Sequence, residues 1–208
     1  MSDNSRLPAT TPEPGSLVLV RHGETEWSRD NRHTGVTDID LTPAGEEQAR
    51  RAGAALAGRS FGVVLTSPRR RAVRTAELAG FAGAETDANL VEWDYGVYEG
   101  RSTGEIQADL GADWTVWKSG TSTYPAAGET VEHVGARVDA VIDRLAPVLA
   151  AGEDALLFAH AHVLRILAAR WLGLPAADGA LLTLSTAALS ELGFEHGLRV
   201  MERWNAQP

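Results

Sequence analysis

The chain has 208 residues, 44% of them hydrophobic, which suits one domain with a substantial core near the upper end of ordinary single-domain size. A formal net charge of −9 argues against a nucleic-acid partner, because such binders depend on a basic face to release counterions. The absence of cysteine removes disulfides, thiol nucleophiles and thiolate metal sites together, and no run approaches the roughly 18 apolar residues of a membrane span.

Residues 1–15, MSDNSRLPATTPEPG, are polar and rich in proline, without the basic start and apolar run of a signal peptide. They read as a disordered lead-in to a cytoplasmic domain covering 16–208. LVLV (17–20) is a buried strand that stops on Arg21, His22 and Gly23. Thr42-Pro43 and Ser67-Pro68 each place an N-cap residue before proline, so helices are predicted to open at 43 and 68. FGVVLT (61–66) is the strand between them. The second of these helices begins with Arg69, Arg70 and Arg71, cations that oppose the helix dipole and call for a negative partner, a role a bound phosphate would fill.

From Thr130, the residues Val131, Val134, Val138, Val141, Ile142, Leu145 and Leu149 recur at steps of three and four, predicting one amphipathic helix. ALLFA (155–159) is a third strand and runs directly into His160. Beyond Trp171, LLTLS (181–185), ALSELGFEH (188–196) and LRVMERW (198–204) read as strands, with the clearest turn at His196-Gly197. The alternation predicts an α/β three-layer sandwich: a mostly parallel central sheet flanked by helices, with antiparallel edge strands from the C-terminal part.

In such sheets the carboxyl ends of the strands face the ligand crevice. Arg21-His22, Thr66-Ser67 leading into the arginines, and His160 all occupy strand ends, so their convergence on an oxyanion is the natural hypothesis. His160-x-His162 also has the form of a two-histidine metal pair, but no further ligand follows in AHAHVLRIL, and no metal is expected.

The ordered set Arg21-His22-Gly23-Glu24-Thr25 with Trp27, Thr34-Gly35, Leu41-Thr42-x-x-Gly45, Thr66-Ser67-x-x-x-Arg71-Ala72, LVEWDYGVYEG (90–100), Gly128-Glu129-Thr130, His160 and Arg165 resembles the histidine phosphatase, or phosphoglycerate-mutase-like, superfamily across roughly residues 16–175. The resemblance implies that His22 is a nucleophile that becomes phosphorylated, which requires a neutral imidazole whose other nitrogen is tied to a backbone acceptor. Arg21, Arg71 and His160 would surround the phosphoryl oxygens. Glu92 would protonate the leaving alkoxide and then activate water. Asp94 and Glu99 compete with it in the same stretch, and Glu99 reads as a structural residue of its turn. Gly23, Glu24, Thr25, Ser28, Thr34, Gly35, Ala161 and His162 are assigned to substrate binding.

Two residues depart from the common pattern: Ser28 stands for Asn, and Ala161 for Gly. A hydroxyl still donates one hydrogen bond to a phosphate oxygen. Were φ positive at 161, alanine would cost about 1 kcal/mol or distort the amide facing the anion.

The resemblance, closer to bacterial acid phosphatases and sugar-bisphosphatases than to mutases, implies a cofactor-free, metal-independent phosphomonoesterase acting through phosphohistidine on small phosphorylated metabolites. A cofactor-dependent phosphoglycerate mutase and a non-catalytic phosphate-binding module are the alternatives. Only residues 101–128 separate the Glu92 and Glu129 motifs, short for the covering insertion of a mutase. Selectivity is expected there and around Trp93, Trp114, Trp117 and Tyr124. No nucleic-acid or membrane partner is expected, and the oligomeric state, a homodimer included, is left open.

Overall fold

The first strand, β1 (Leu17–Arg21), is central in the computed structural model, which describes residues 13–121 and 127–208. After it come α1 (Glu26–Arg29), α2 (Pro43–Ala55), β2 (Val63–Thr66), α3 (Arg70–Leu78) and a two-residue β3 (Glu85–Thr86). The chain continues through α4 (Thr103–Leu110), α5 (Val116–Ser119), α6 (Val131–Ala150), β4 (Ala155–Ala159), α7 (Ala161–Trp171), β5 (Leu189–Glu195) and β6 (Leu198–Ala206). The strands form one sheet in the order β3-β2-β4-β1-β5-β6. β1, β2, β3 and β4 are mutually parallel, while β5 and β6 close one edge antiparallel, as the sequence predicts.

Strand periodicity explains the three layers. In β1, Leu17 and Leu19 join the core under α6 and α7, whereas Val18 and Val20 face the smaller core of α2 and α3. β4 divides in the same way, with Leu157 on one side and Leu156 and Phe158 on the other. Both faces are covered, so both strands read as unbroken apolar runs.

The predicted amphipathic helix is α6, capped by the Thr130 side chain on the His133 amide. Val134, Val138, Val141, Ile142, Leu145 and Leu149 are all buried, each contributing roughly 1.5–3 kcal/mol. Thr42 likewise caps α2 through the Gly45 amide, with Pro43 as the first helical residue.

Two boundaries differ from expectation. α3 opens at Arg70 rather than 68, because the Ser67 side chain is turned toward His160 Nε2 (2.8 Å) and Arg69 remains extended. The capping acceptor comes from a distant loop: Asp38 Oδ1 accepts from the Arg70 amide at 2.9 Å. Asp38 and Asp40 also pair with the Arg70 side chain, so a carboxylate pair supplies the negative charge expected of a phosphate at that helix end.

LLTLS (181–185) is not a strand. A 3-10 turn covers Ala176–Leu181, and the polar groups that follow bond side chains instead of a ladder. Thr183 O accepts from Trp204 Nε1, Leu184 O from Arg21 Nη1, and the Ser185 amide donates to Asn205 Oδ1. Of the expected lead-in, 1–12 lie outside the described residues, as does Tyr124. Gly15 is already packed, its amide bonding Leu149 O at 2.8 Å.

Candidate active site

β2, β4 and β1 are neighbours and parallel, so their carboxyl ends meet along one edge of the sheet. The His22 amide donates to Ala159 O and the Ser67 amide to Phe158 O, each at 2.9 Å, which carries the alignment one residue past the strands. Ala187, held at φ +56°, directs its amide at the carbonyls of Arg21 and His22. Alanine in that region costs about 1–2 kcal/mol, strain that fixes the backbone under the site.

His22 is buried, and its Nδ1 lies 2.7 Å from Gly23 O. A carbonyl only accepts, so Nδ1 carries the proton and Nε2 keeps its lone pair. Burial, then the guanidinium groups of Arg71 and Arg21, push the imidazole well below its ordinary value, which keeps it neutral. His160 lies beside it with ring centroids 5.2 Å apart. Arg71 Nε donates to His160 Nδ1 at 3.0 Å, so the proton of His160 sits on Nε2, which donates to Ser67 Oγ.

Arg71 is fully buried, and its Nη groups also donate to the carbonyls of Thr34, Gly35 and Thr37. Arg21 donates Nη1 to Leu184 O, but its buried Nε has no partner among the described residues. Burial lowers Arg21 to about 10, against which the Glu92 charge acts favourably. Arg21 and His22 line the same cleft, which puts a cation and a free imidazole nitrogen where an oxyanion could be held.

Glu92 is buried and receives three amides: Trp93 N and Val163 N on Oε1, His162 N on Oε2. Two of these belong to the first turn of α7, whose N-cap, His160, makes no side-chain cap bond. The carboxylate is therefore the acceptor that caps the helix. Asp94 turns away, bonding the Gly96 amide across its own turn. Glu99 takes the amides of Gly35 and Thr37 and thereby holds the loop that Arg71 grips from the other side. Tyr95 is buried, which raises its hydroxyl well above the ordinary value, so it donates to His162 Nδ1 at 2.5 Å. Burial and Arg165 lower His162, so its 3.9 Å approach to Glu92 involves a neutral ring.

The cleft above these groups holds about 370 Å³, toward the small end of metabolite pockets. Arg21, His22, Ser28, Thr34, Glu92, Ala161 and His162 line it. Arg71 and His160 stand behind the lining, orienting the loop and one another. Gly23, Glu24, Thr25 and Gly35 are not in the wall. A Cβ on Gly23 would lie 2.3 Å from Gly45 O, and one on Gly35 2.3 Å from Trp93 O, so both permit close packing. Glu24 accepts from the Thr42 hydroxyl, and Thr25 caps α1. The Ser28 hydroxyl donates to Thr25 O at 3.0 Å, spending its hydrogen locally. Ala161 opens α7 with a helical backbone and carries no positive-φ strain.

Asn31, Arg32, His33, Thr103 and Arg165 also line the cleft. Of these, sequence reasoning placed only Arg165 in a motif, and gave it no role. The others lie on the loop after α1 and on the α4 segment, whose local spacing carries no signal. Among the described residues no group of three or more His, Asp or Glu is arranged to hold a metal, and His160 has both ring nitrogens engaged.

The model of the histidine phosphatase superfamily (branch 1) matches residues 17–207. A protein of Mycobacterium tuberculosis named acid phosphatase is 42% identical over 185 residues, 88% of each chain. A 2,3-bisphosphoglycerate-dependent phosphoglycerate mutase of Sinorhizobium fredii is 39% identical over 163 residues, 74% of this chain and 77% of the mutase. The solved structure of an open reading frame product of Mycobacterium tuberculosis superposes with a TM-score of 0.86 at 39% identity, covering 93% of this chain and 98% of the other.

Proposed function

The chain is an enzyme that belongs to the histidine phosphatase superfamily, branch 1, and from that membership we propose a metal-independent phosphomonoesterase that hydrolyses small phosphorylated metabolites through a phosphohistidine on His22. The observation that carries the reading is the His22 Nδ1 to Gly23 O bond, which leaves Nε2 as a neutral nucleophile in a cleft that Arg21 also lines.

In the first half-reaction His22 Nε2 attacks phosphorus and the bond from phosphorus to the ester oxygen breaks. Glu92 gives its proton to the leaving alkoxide. Arg21 receives the charge that builds on the phosphoryl oxygens, while Arg71 adds its field from behind. In the second, the Glu92 carboxylate takes a proton from water, the hydroxide oxygen attacks phosphorus, and inorganic phosphate departs from a regenerated neutral His22. The Glu92 position suits both steps, because its helix cap fixes the carboxylate while it faces the cleft.

The mutase relative makes the same intermediate worth testing in both directions. Thr103 of α4 and Val116 and Trp117 of α5 line the cleft, and the interval 101–128 to which they belong is short for the covering insertion of a mutase, which favours hydrolysis. The test is a quenched turnover of p-nitrophenyl phosphate followed by mass detection of the phosphorylated peptide, in parallel with 3-phosphoglycerate and 2,3-bisphosphoglycerate. Phosphate on His22 with release of inorganic phosphate is expected. Transfer to phosphoglycerate faster than to water would replace this reading with a mutase, and unchanged turnover in His22→Ala would end it.

A further inference from the structure

Ion pairing is distributed unevenly over this acidic chain. Ten of the fourteen arginines described outside the cleft lining hold a carboxylate within 4.0 Å, and Arg69, Arg71, Arg199 and Arg203 do not. The three that line the cleft, Arg21, Arg32 and Arg165, have none among the described residues, and Glu92 is the one carboxylate in that lining. Arg21 belongs to the phosphoryl site. Arg165 is built as a second site.

It leaves α7 just beyond the His162 and Val163 amides that Glu92 accepts, and lies with its guanidinium carbon 4.6 Å from the centre of the Trp117 ring. Nε donates to Gly179 O at 3.0 Å and Nη2 to Ala180 O at 3.2 Å. A Cβ on Gly179 would come within 3.1 Å of both the Arg165 backbone and the Trp117 ring, so a glycine there allows the clamp to close. Nη1 has no hydrogen-bond partner among the described residues. The cation is thus held on one face and along one edge, half-buried, with the remaining edge uncommitted. A fixed guanidinium whose donors outnumber its acceptors is suited to a second anionic group. Arg32, with Nη1 on Gly100 O, adds charge at the rim.

We propose that Arg165, seated on Trp117 and supported by Arg32, binds a second anionic group, so that the preferred substrates are small phosphomonoesters carrying another phosphate or a carboxylate at the far end. This rests on the phosphatase reading above and specifies its substrate class. The cleft volume admits a short polyol or sugar between the two anions. His33 and His162, both kept neutral by burial, line the same cleft and leave its positive charge to the arginines.

The experiment compares kcat/KM for fructose 1,6-bisphosphate, fructose 6-phosphate, 3-phosphoglycerate and p-nitrophenyl phosphate in wild type, Arg165→Gln and Arg165→Lys. The expected wild-type preference for a two-anion substrate over its one-anion counterpart is about 10–100-fold, and in Arg165→Gln it falls mainly through KM. p-Nitrophenyl phosphate loses far less, and lysine restores part of the preference. The bisphosphate and phosphoglycerate arms tell a phosphate-reading site from a carboxylate-reading one. Should Arg165→Gln not fold, Trp117→Leu removes the platform and is expected to lower the same ratio.

Calorimetry of fructose 1,6-bisphosphate and fructose 6-phosphate with His22→Ala protein reads the subsite without turnover. A wild type inert toward p-nitrophenyl phosphate but discriminating in calorimetry would defeat the phosphatase reading and spare the subsite. No preference in wild type, or equal losses on all substrates in Arg165→Gln, would overturn the subsite itself.

Discussion

Arg71 and His160 form a directional pair: the Nε–H of Arg71 points at Nδ1 of His160 over 3.0 Å, and this one bond settles which nitrogen of the imidazole carries the proton. Lysine cannot reproduce it while also reaching the carbonyls of Thr34, Gly35 and Thr37. Arg71→Lys is expected to lower kcat by about 10²-fold, the cost of a misplacement of about 1 Å in the groups it orients. Nitrogen NMR of His160 should report a shift in tautomer in the variant. Wild-type kcat in a folded Arg71→Lys protein would remove Arg71 from the chemistry.

Glu92→Gln separates proton donation from binding. With an alkyl phosphate, kcat is expected to fall by about 10²–10⁴, whereas p-nitrophenolate leaves as an anion and needs little protonation. The activated substrate should show a burst of product and then slow turnover, because dephosphorylation still needs a base. Equal losses on both substrates without a burst would dismiss Glu92 as the acid. Asp94 is a poor replacement, since its carboxylate bonds the Gly96 amide across its own turn.

Mild acid is expected to lower stability while leaving the rate unchanged. Burial, Arg71 and Arg21 lower His22 well below 6.5, so the proposed nucleophile stays neutral in mild acid and activity is expected to persist through pH 5. His22, His33, His160 and His162 are all lowered by burial, so the unfolded chain binds more protons than the folded one in acid. Stability is therefore whole above the unfolded value of 6.5 and is lost as pH falls below it. For His33, lowered to about 4, the window runs from 6.5 to about 4 and the loss is about 3 kcal/mol. Melting temperatures at pH 7.5, 5.5 and 4.5 should decline while initial rates hold. A flat melting profile would mean these rings are not buried neutral.

Chelation is expected to leave turnover unchanged, because His160 is committed to Arg71 and Ser67, and His162 Nδ1 to Tyr95. Activity lost to EDTA and restored by Zn²⁺ would require those bonds to open and would reinstate the paired-histidine reading.

The strand ends were legible because each is local: an apolar run, then a charged or aromatic nitrogen base, as at Val20-Arg21-His22 and Ala159-His160. Thr42-Pro43 and the α6 stripe were legible for the same reason. Ser67-Pro68 misled because the side chain that should cap α3 serves His160, 93 residues away. Leu184 lies in an apolar run, yet its carbonyl is claimed by Arg21 rather than by a neighbouring strand. In the cleft, the sequence order of motifs marked His22, Arg21 and Glu92. The Tyr95 bond to His162 and the Arg165 seat on Trp117 join segments dozens of residues apart, and no spacing rule encodes such a meeting.

The cap that Glu92 places on α7 would give the proposed reaction a structural rhythm. A carboxylate accepts amide hydrogen bonds more strongly than a neutral carboxyl. In the proposed mechanism, once Glu92 has surrendered its proton the first turn of α7 would be held by a full charge, and this would coincide with the lifetime of the phosphohistidine. The helix carrying His160 and Arg165 would then be firmest while the covalent intermediate waits for water and would relax as the proton returns. Hydrogen exchange at the His162 and Val163 amides would read that alternation directly, slowing in a trapped phosphoenzyme.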